Sequence, residues 1–170
     1  MGKSVLVAYA SKYGATREIA ERIASVLTRK GMGVTVADAG DAGNVADYDA
    51  TVMGSAVYMG RTRKEARLFL SANADSLSRK PVWLFSSGPT DSKDDPGDLD
   101  GWHRPGAIAE VLTRIAPRER VVFGGAITTG KLRGFDKWIL SKVGATMGDA
   151  RNWTQIESWA EKIADDLARL

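Results

Sequence analysis

Cysteine is absent from this 170-residue chain, which excludes disulfide staples, thiolate metal sites, iron–sulfur ligation and cysteine nucleophiles together. Histidine occurs once, at His103, so imidazole chemistry has a single candidate. No long apolar run is present, and that removes a membrane-spanning helix from consideration. The beginning, Met1-Gly2-Lys3-Ser4, leads into an apolar stretch too short for a secretory leader and lacking a cleavage-like site before Ser11, so the expected location is the cytoplasm. No carboxylate pair stands out as an acid and base couple. Five prolines fall mostly in one region, and no interdomain linker or internal repeat is legible.

The composition, 44% hydrophobic and 26% charged, is that of a soluble globular chain whose length suits one domain, residues 1–170. Net charge is +3 with a pI near 9.2, a mild bias toward anionic partners that does not call for nucleic acid. The positive charge is clustered. Arg61, Arg63, Lys64 and Arg67 form one group, and Lys131, Arg133, Lys137 and Lys142 another.

Val5–Ala10 is a short continuous apolar run, the pattern of a strand buried on both faces of a parallel sheet. From Thr16 to Lys30, Ile19, Ile23 and Leu27 lie four apart beside Ala20 and Ala24, which makes an amphipathic helix. Glu18 and Glu21 stand early, Arg29 and Lys30 late, and Gly31 provides the stop. Further buried strands are expected at Gly33–Ala37, Ala50–Ser55, Pro81–Ser86 and Arg120–Ile127. Helices are expected at Lys64–Leu77, Ala107–Ile115 and Trp153–Leu170, the last opened by a capping box from Thr154 to Glu157. Strands alternating with helices give an α/β fold with a parallel sheet and right-handed crossovers.

In such a sheet, ligands collect at the C-terminal ends of strands where the strand order reverses. Ser11, Lys12, Tyr13, Gly14, Ala15 and Thr16 follow the first strand and open the first helix. Two hydroxyls, one glycine and unpaired helix N–H groups suit a terminal phosphate, while the same residues also suit a plain capped connection. The dinucleotide pattern Gly-x-Gly-x-x-Gly is missing there. A second stretch, Gly125 to Lys131, has the Gly-x-x-x-x-Gly-Lys spacing of a triphosphate loop, but Leu132 stands where magnesium needs a hydroxyl, so the spacing is read as coincidence.

The stretches "VLVAYASKYGAT", "YDATVMGSAVYMG" and "VWLFSSGP", in this order, resemble the flavodoxin-like family. Within it the chain is most similar to the menaquinone-dependent protoporphyrinogen dehydrogenase type of domain, a likeness that extends to "GGAITTGKLRGFDKWILSKVG" and the tail "GDARNWTQIESWAEKIADDL". The resemblance implies a three-layer sandwich, a five-stranded parallel sheet in order 2-1-3-4-5 with helices on both faces, holding flavin mononucleotide (FMN). It places residues 11–16 around the phosphate. Ala56, Val57, Tyr58, Met59 and Gly60 would lie along the isoalloxazine ring, and Ser86, Ser87, Gly88 and Pro89 would close its other side. Tyr58 is then the stacking face, unless it is simply a half-buried tyrosine at a strand end.

The resemblance further implies an oxidoreductase that moves electrons from a protoporphyrinogen-like donor through FMN to a quinone, a role in heme biosynthesis. Two other readings stay open: a flavodoxin-type electron carrier between proteins, and a non-redox module for a phosphate ligand. Simple carriers of this family are acidic, and the basic balance here departs from that. Arg61, Arg63, Lys64 and Arg67 could receive substrate carboxylates or be a solvated helical turn. Lys131–Lys142, interleaved with Leu132, Phe135, Trp138, Ile139 and Leu140, suits peripheral contact with an anionic membrane or core packing. The segment 88–106 reads as a long surface loop whose Asp91, Asp94, Asp95, Asp98 and Asp100 oppose a carboxylate-bearing substrate. Within it, Trp102 could cover the flavin or a substrate, face solvent, or pack on the protein itself. His103 could move a proton or stand solvated. Oligomeric state is not legible.

Overall fold

The computed structural model describes residues 2–58, 61–88, 102, 107–127, 148, 149 and 151–170. Five strands run parallel: β1 (Ser4–Ala10), β2 (Gly33–Asp38), β3 (Ala50–Tyr58), β5 (Val82–Gly88) and β6 (Glu119–Gly124). Their spatial order is β2-β1-β3-β5-β6, with the two-residue β4 (Arg61–Thr62) paired antiparallel to the end of β3. With that short strand set aside, the order is the 2-1-3-4-5 implied by the resemblance. A separate pair joins β7 (Ala126–Ile127) to β8 (Gly148–Asp149). The helices are α1 (Ala15–Arg29), α2 (Lys64–Ala72), α3 (Ala74–Leu77), α4 (Ala107–Ile115) and α5 (Trp153–Ala168).

Successive strand residues point to opposite faces, so β1 feeds two cores at once. Val5 and Val7 pack with Ile19, Ile23 and Leu27 of α1 and with Ile156, Trp159 and Ile163 of α5. Leu6, Ala8 and Ala10 pack on the other side with Phe69 and Leu70 of α2, Leu77 of α3 and Leu112 of α4. Burial on both faces is why this strand reads as an unbroken apolar run. The first core is filled between β5, β6 and α5 by Phe85, Phe123 and Trp159, whose centroids lie 5.5 to 6.1 Å apart in tilted and edge-to-face pairs. Trp102 is buried in the second core, so it packs on the protein itself.

Several expectations need correction. β2 is not a buried strand but an edge strand, with Val36 exposed, because only β1 pairs with it. The helix expected over Lys64–Leu77 breaks at Asn73, whose side-chain amide donates to the Phe69 carbonyl at 2.8 Å, sharing it with the Asn73 backbone N–H at 3.2 Å. The strand expected to end at Ile127 breaks at Gly125. α5 is capped by Asn152 rather than by a Thr154–Glu157 box: Asn152 Oδ1 accepts from the Gln155 N–H at 3.0 Å, and Glu157 instead pairs with Arg22 at 2.6 Å. The stop at Gly31 is as expected, with φ +88° and the Met32 N–H donating back to Leu27 at 3.1 Å.

Candidate functional site

α1 packs on one face of the sheet and α2 on the other, so the chain leaves β1 and β3 in opposite directions. That divergence opens a crevice at their C-terminal ends. The register sets Ala10 beside Ser55, Ser55 beside Ser86, Ala56 beside Ser87 and Gly88 beside Gly124. The three stretches read as one site therefore end side by side on one edge of the sheet.

The first stretch is built to leave a helix end open. Gly14 is the N-cap of α1 with φ +94°, a conformation costly for residues with a Cβ, and no side chain caps the helix there. Its N–H donates to Ser11 Oγ at 2.9 Å. Because that bond uses the oxygen as acceptor, the Ser11 hydroxyl proton stays directed by whatever acceptor lies beyond it. Thr16 is buried in the first turn, and Lys12 Nζ lies 5.3 Å from the Tyr13 ring centroid. The first N–H groups of a helix have no intrahelical acceptor and carry the positive end of its dipole. In α5, by contrast, Asn152 fills that role.

The second stretch is one arm of a hairpin. Val57 pairs with Thr62 and Tyr58 with Arg61. Ser55 fixes it: its Oγ accepts from the Arg63 N–H and donates to the Ala56 carbonyl, each at 2.9 Å. Met59 and Gly60 lie outside the described residues, as does the side chain of Tyr58, so the stacking role of Tyr58 stays an expectation. The basic cluster is smaller in effect than its composition. Arg63 pairs with Glu65 at 3.1 Å and Arg67 donates to the Thr62 carbonyl at 2.7 Å, while Arg61 and Lys64 are exposed. The Glu65 carboxyl sits below its ordinary range, first through its own backbone N–H and then through Arg63.

In the third stretch Ser86, Ser87 and Gly88 are buried, and Pro89 lies outside the described residues. Ser86 Oγ is fully buried at the strand end with no hydrogen-bond partner among the described residues, an arrangement that ordinarily carries a free-energy cost. Gly125, part of the discarded triphosphate pattern, proves to be a packing residue of this edge: a Cβ there would lie 2.1 Å from the Gly88 carbonyl oxygen. Residues 128–147, with the second basic cluster, and residues 89–101 and 103–106, with His103, lie outside the described residues.

These features fit FMN: an uncapped helix start with a hydroxyl for its phosphate, and two strand ends for its ring, one holding a hydroxyl without a partner among the described residues. Sequence reasoning missed Ser55, Gly125 and the ion pair between Arg151 and Glu18 in the first turn of α1. A serine within an apolar strand was the one available signal for Ser55. Nothing local marks the other two, since both depend on contacts between distant segments.

No curated protein matches the chain. Among solved structures it resembles rubredoxin oxygen:oxidoreductase from Desulfovibrio gigas (TM-score 0.61, 15% identity, 98% of this chain and 36% of that one). It also resembles a flavodoxin from Archaea (0.54, 17%, 97% and 99%) and one from Streptococcus pneumoniae (0.58, 18%, 98% and 98%). The chain thus spans about a third of the first and nearly all of the other two. At these identities the likeness establishes the fold, and flavodoxin-fold homologues bind FMN. Among the described residues no helix is long and apolar enough to cross a membrane, and no metal-holding cluster occurs. Residues 6–153 match the family described as the flavodoxin domain, and the chain belongs to that family.

Proposed function

We propose that the protein is an FMN-dependent oxidoreductase that accepts electrons from a reduced, protoporphyrinogen-like donor and passes them to a quinone. The observation that carries the FMN part is the uncapped α1 N-terminus at Gly14, lying on the same sheet edge as Ala56–Tyr58 and Ser86–Gly88. Bound FMN supplies reversible electron uptake. The chain supplies the rest. N–H groups of α1 and the Ser11 hydroxyl would hold the phosphate dianion, and the two strand ends would position the ring. Arg61 and Lys64, exposed beside the hairpin, would receive anionic groups of a donor, which supports an enzyme over an acidic carrier. The quinone and an anionic membrane surface are the partners this reading calls for.

A carrier that shuttles electrons between proteins is the second reading, favoured by the two flavodoxin structures that match over 97 to 99% of both chains. Titration of apoprotein with FMN, followed by absorbance, tests the common part. Replacing Ser11 and Thr16 together by Ala is expected to weaken FMN about tenfold, equal to ~1.4 kcal/mol. Unchanged affinity would remove the phosphate assignment. Turnover of protoporphyrinogen with a menaquinone analogue decides between enzyme and carrier.

A further inference from the structure

α1 and α5 start side by side, and a chain of charged and aromatic groups ties their first turns together. Arg151, just before α5, donates to Glu18 Oε2 in the first turn of α1. The guanidinium of Arg151 lies 4.7 Å from the Trp153 ring centroid, and that of Arg22 lies 4.8 Å from the same ring while pairing with Glu157. Arg17, on the same helix, is paired with Glu21 instead. The Arg151 side chain is only 10% exposed, so its charge is poorly screened by water and its position is fixed by the ring.

Glu18 sets a problem for an anion at this helix start. It stands four residues after Gly14, about 6 Å along the axis. That distance is inside the ~8 Å screening length of physiological salt. An unpaired carboxylate there would repel a phosphate dianion drawn to the same positive helix end.

We propose that Arg151 sets the phosphate affinity of the α1 N-terminus by neutralising Glu18, acting as a positioning residue through that carboxylate and not as a ligand of the phosphate. The inference rests on the FMN reading above. It makes the segment before α5, remote in sequence, part of the electrostatics of the first loop.

The test compares FMN with riboflavin, which has the ring but no phosphate, by titrating apoprotein and following flavin fluorescence. Arg151→Gln is expected to weaken FMN about tenfold while riboflavin changes less than about twofold. Added salt should narrow the difference in FMN affinity between this variant and the parent, because it screens the unpaired Glu18 of the variant. Glu18→Gln combined with Arg151→Gln should return FMN affinity to within about threefold of the parent. Arg151→Lys, which retains the charge, should keep the parent's ratio of FMN to riboflavin affinity, and apoprotein melting temperatures check that each variant is folded. Equal loss of both flavins in Arg151→Gln, or no recovery in the double variant, overturns the proposal and leaves the FMN reading standing. A parent protein that binds neither flavin overturns both.

Discussion

Gly54→Ala is a small perturbation with a large expected effect. Gly54 and Phe85 are register partners on β3 and β5, and the Phe85 ring lies across the glycine. A methyl group at position 54 would sit 1.9 Å from Cζ and 2.3 and 2.4 Å from Cε1 and Cε2 of that ring. A flexible side chain could swing away, but Phe85 is fully buried and boxed by Phe123 at 5.8 Å and Trp159 at 6.1 Å between centroids. Overpacking of a tight core costs about 1–3 kcal/mol. Expelling the ring entirely would approach the ~3–5 kcal/mol of a Phe→Ala cavity. The expected loss is therefore about 3 kcal/mol, near the top of the first range because every side of the ring is occupied. At roughly 2–4 °C per kcal/mol for a chain of this size, the melting temperature should fall by about 6–12 °C. Urea unfolding of apoprotein, with the midpoint and slope fitted separately, measures the loss. Phe85→Leu in the same chain should make the pair less damaging than the sum of the singles, with a coupling of about 1–2 kcal/mol. A Gly54→Ala protein within ~0.5 kcal/mol of the parent, or a double variant that is simply additive, would refute the claim that the ring holds this contact.

Gly125→Ala would press a methyl against the Gly88 carbonyl, so FMN affinity should fall by about tenfold or more in a titration while the apoprotein still unfolds cooperatively. Asn152→Ala should cost about 1 kcal/mol in urea unfolding through loss of the cap on Gln155. Thr154→Ala, by contrast, should stay within ~0.5 kcal/mol, and a larger effect would reinstate the capping box. The Asp49 carboxyl is held below its ordinary value of 3.8 by the Ser4 N–H and then the Ser4 hydroxyl. A lowered folded-state pKa adds stability above the unfolded value and loses it as the pH falls through the folded one. Asp49→Asn should therefore be less stable than the parent at neutral pH and converge with it in acid, as seen by unfolding midpoints measured from pH 7 down to about pH 3.

Much of the architecture was legible because it rests on local pattern. The period of apolar residues in α1 and the unbroken run of β1 require only that neighbours along the chain share a face. Gly31 stopped the helix where the sequence said it would. The failures occurred where side chains made choices between competing partners. The Asn73 side chain shares the Phe69 carbonyl with its own backbone N–H where one helix ends, and Asn152, two residues ahead of Thr154, caps α5 by accepting from the Gln155 N–H. β2 has the sequence of a buried strand, yet edge position follows from sheet order alone.

By itself, then, the sequence determined the alternation of strands and helices, the two-sided core of β1 and the loop of Ser11–Thr16 at a helix start, since each depends on residues a few positions apart. The tertiary structure decided which strand ends share an edge, that Phe85 needs a glycine across from it, that Ser55 locks the hairpin and that Arg151 answers Glu18 from 133 positions away. Those facts follow from parallel crossovers, which bring together segments that no local spacing relates.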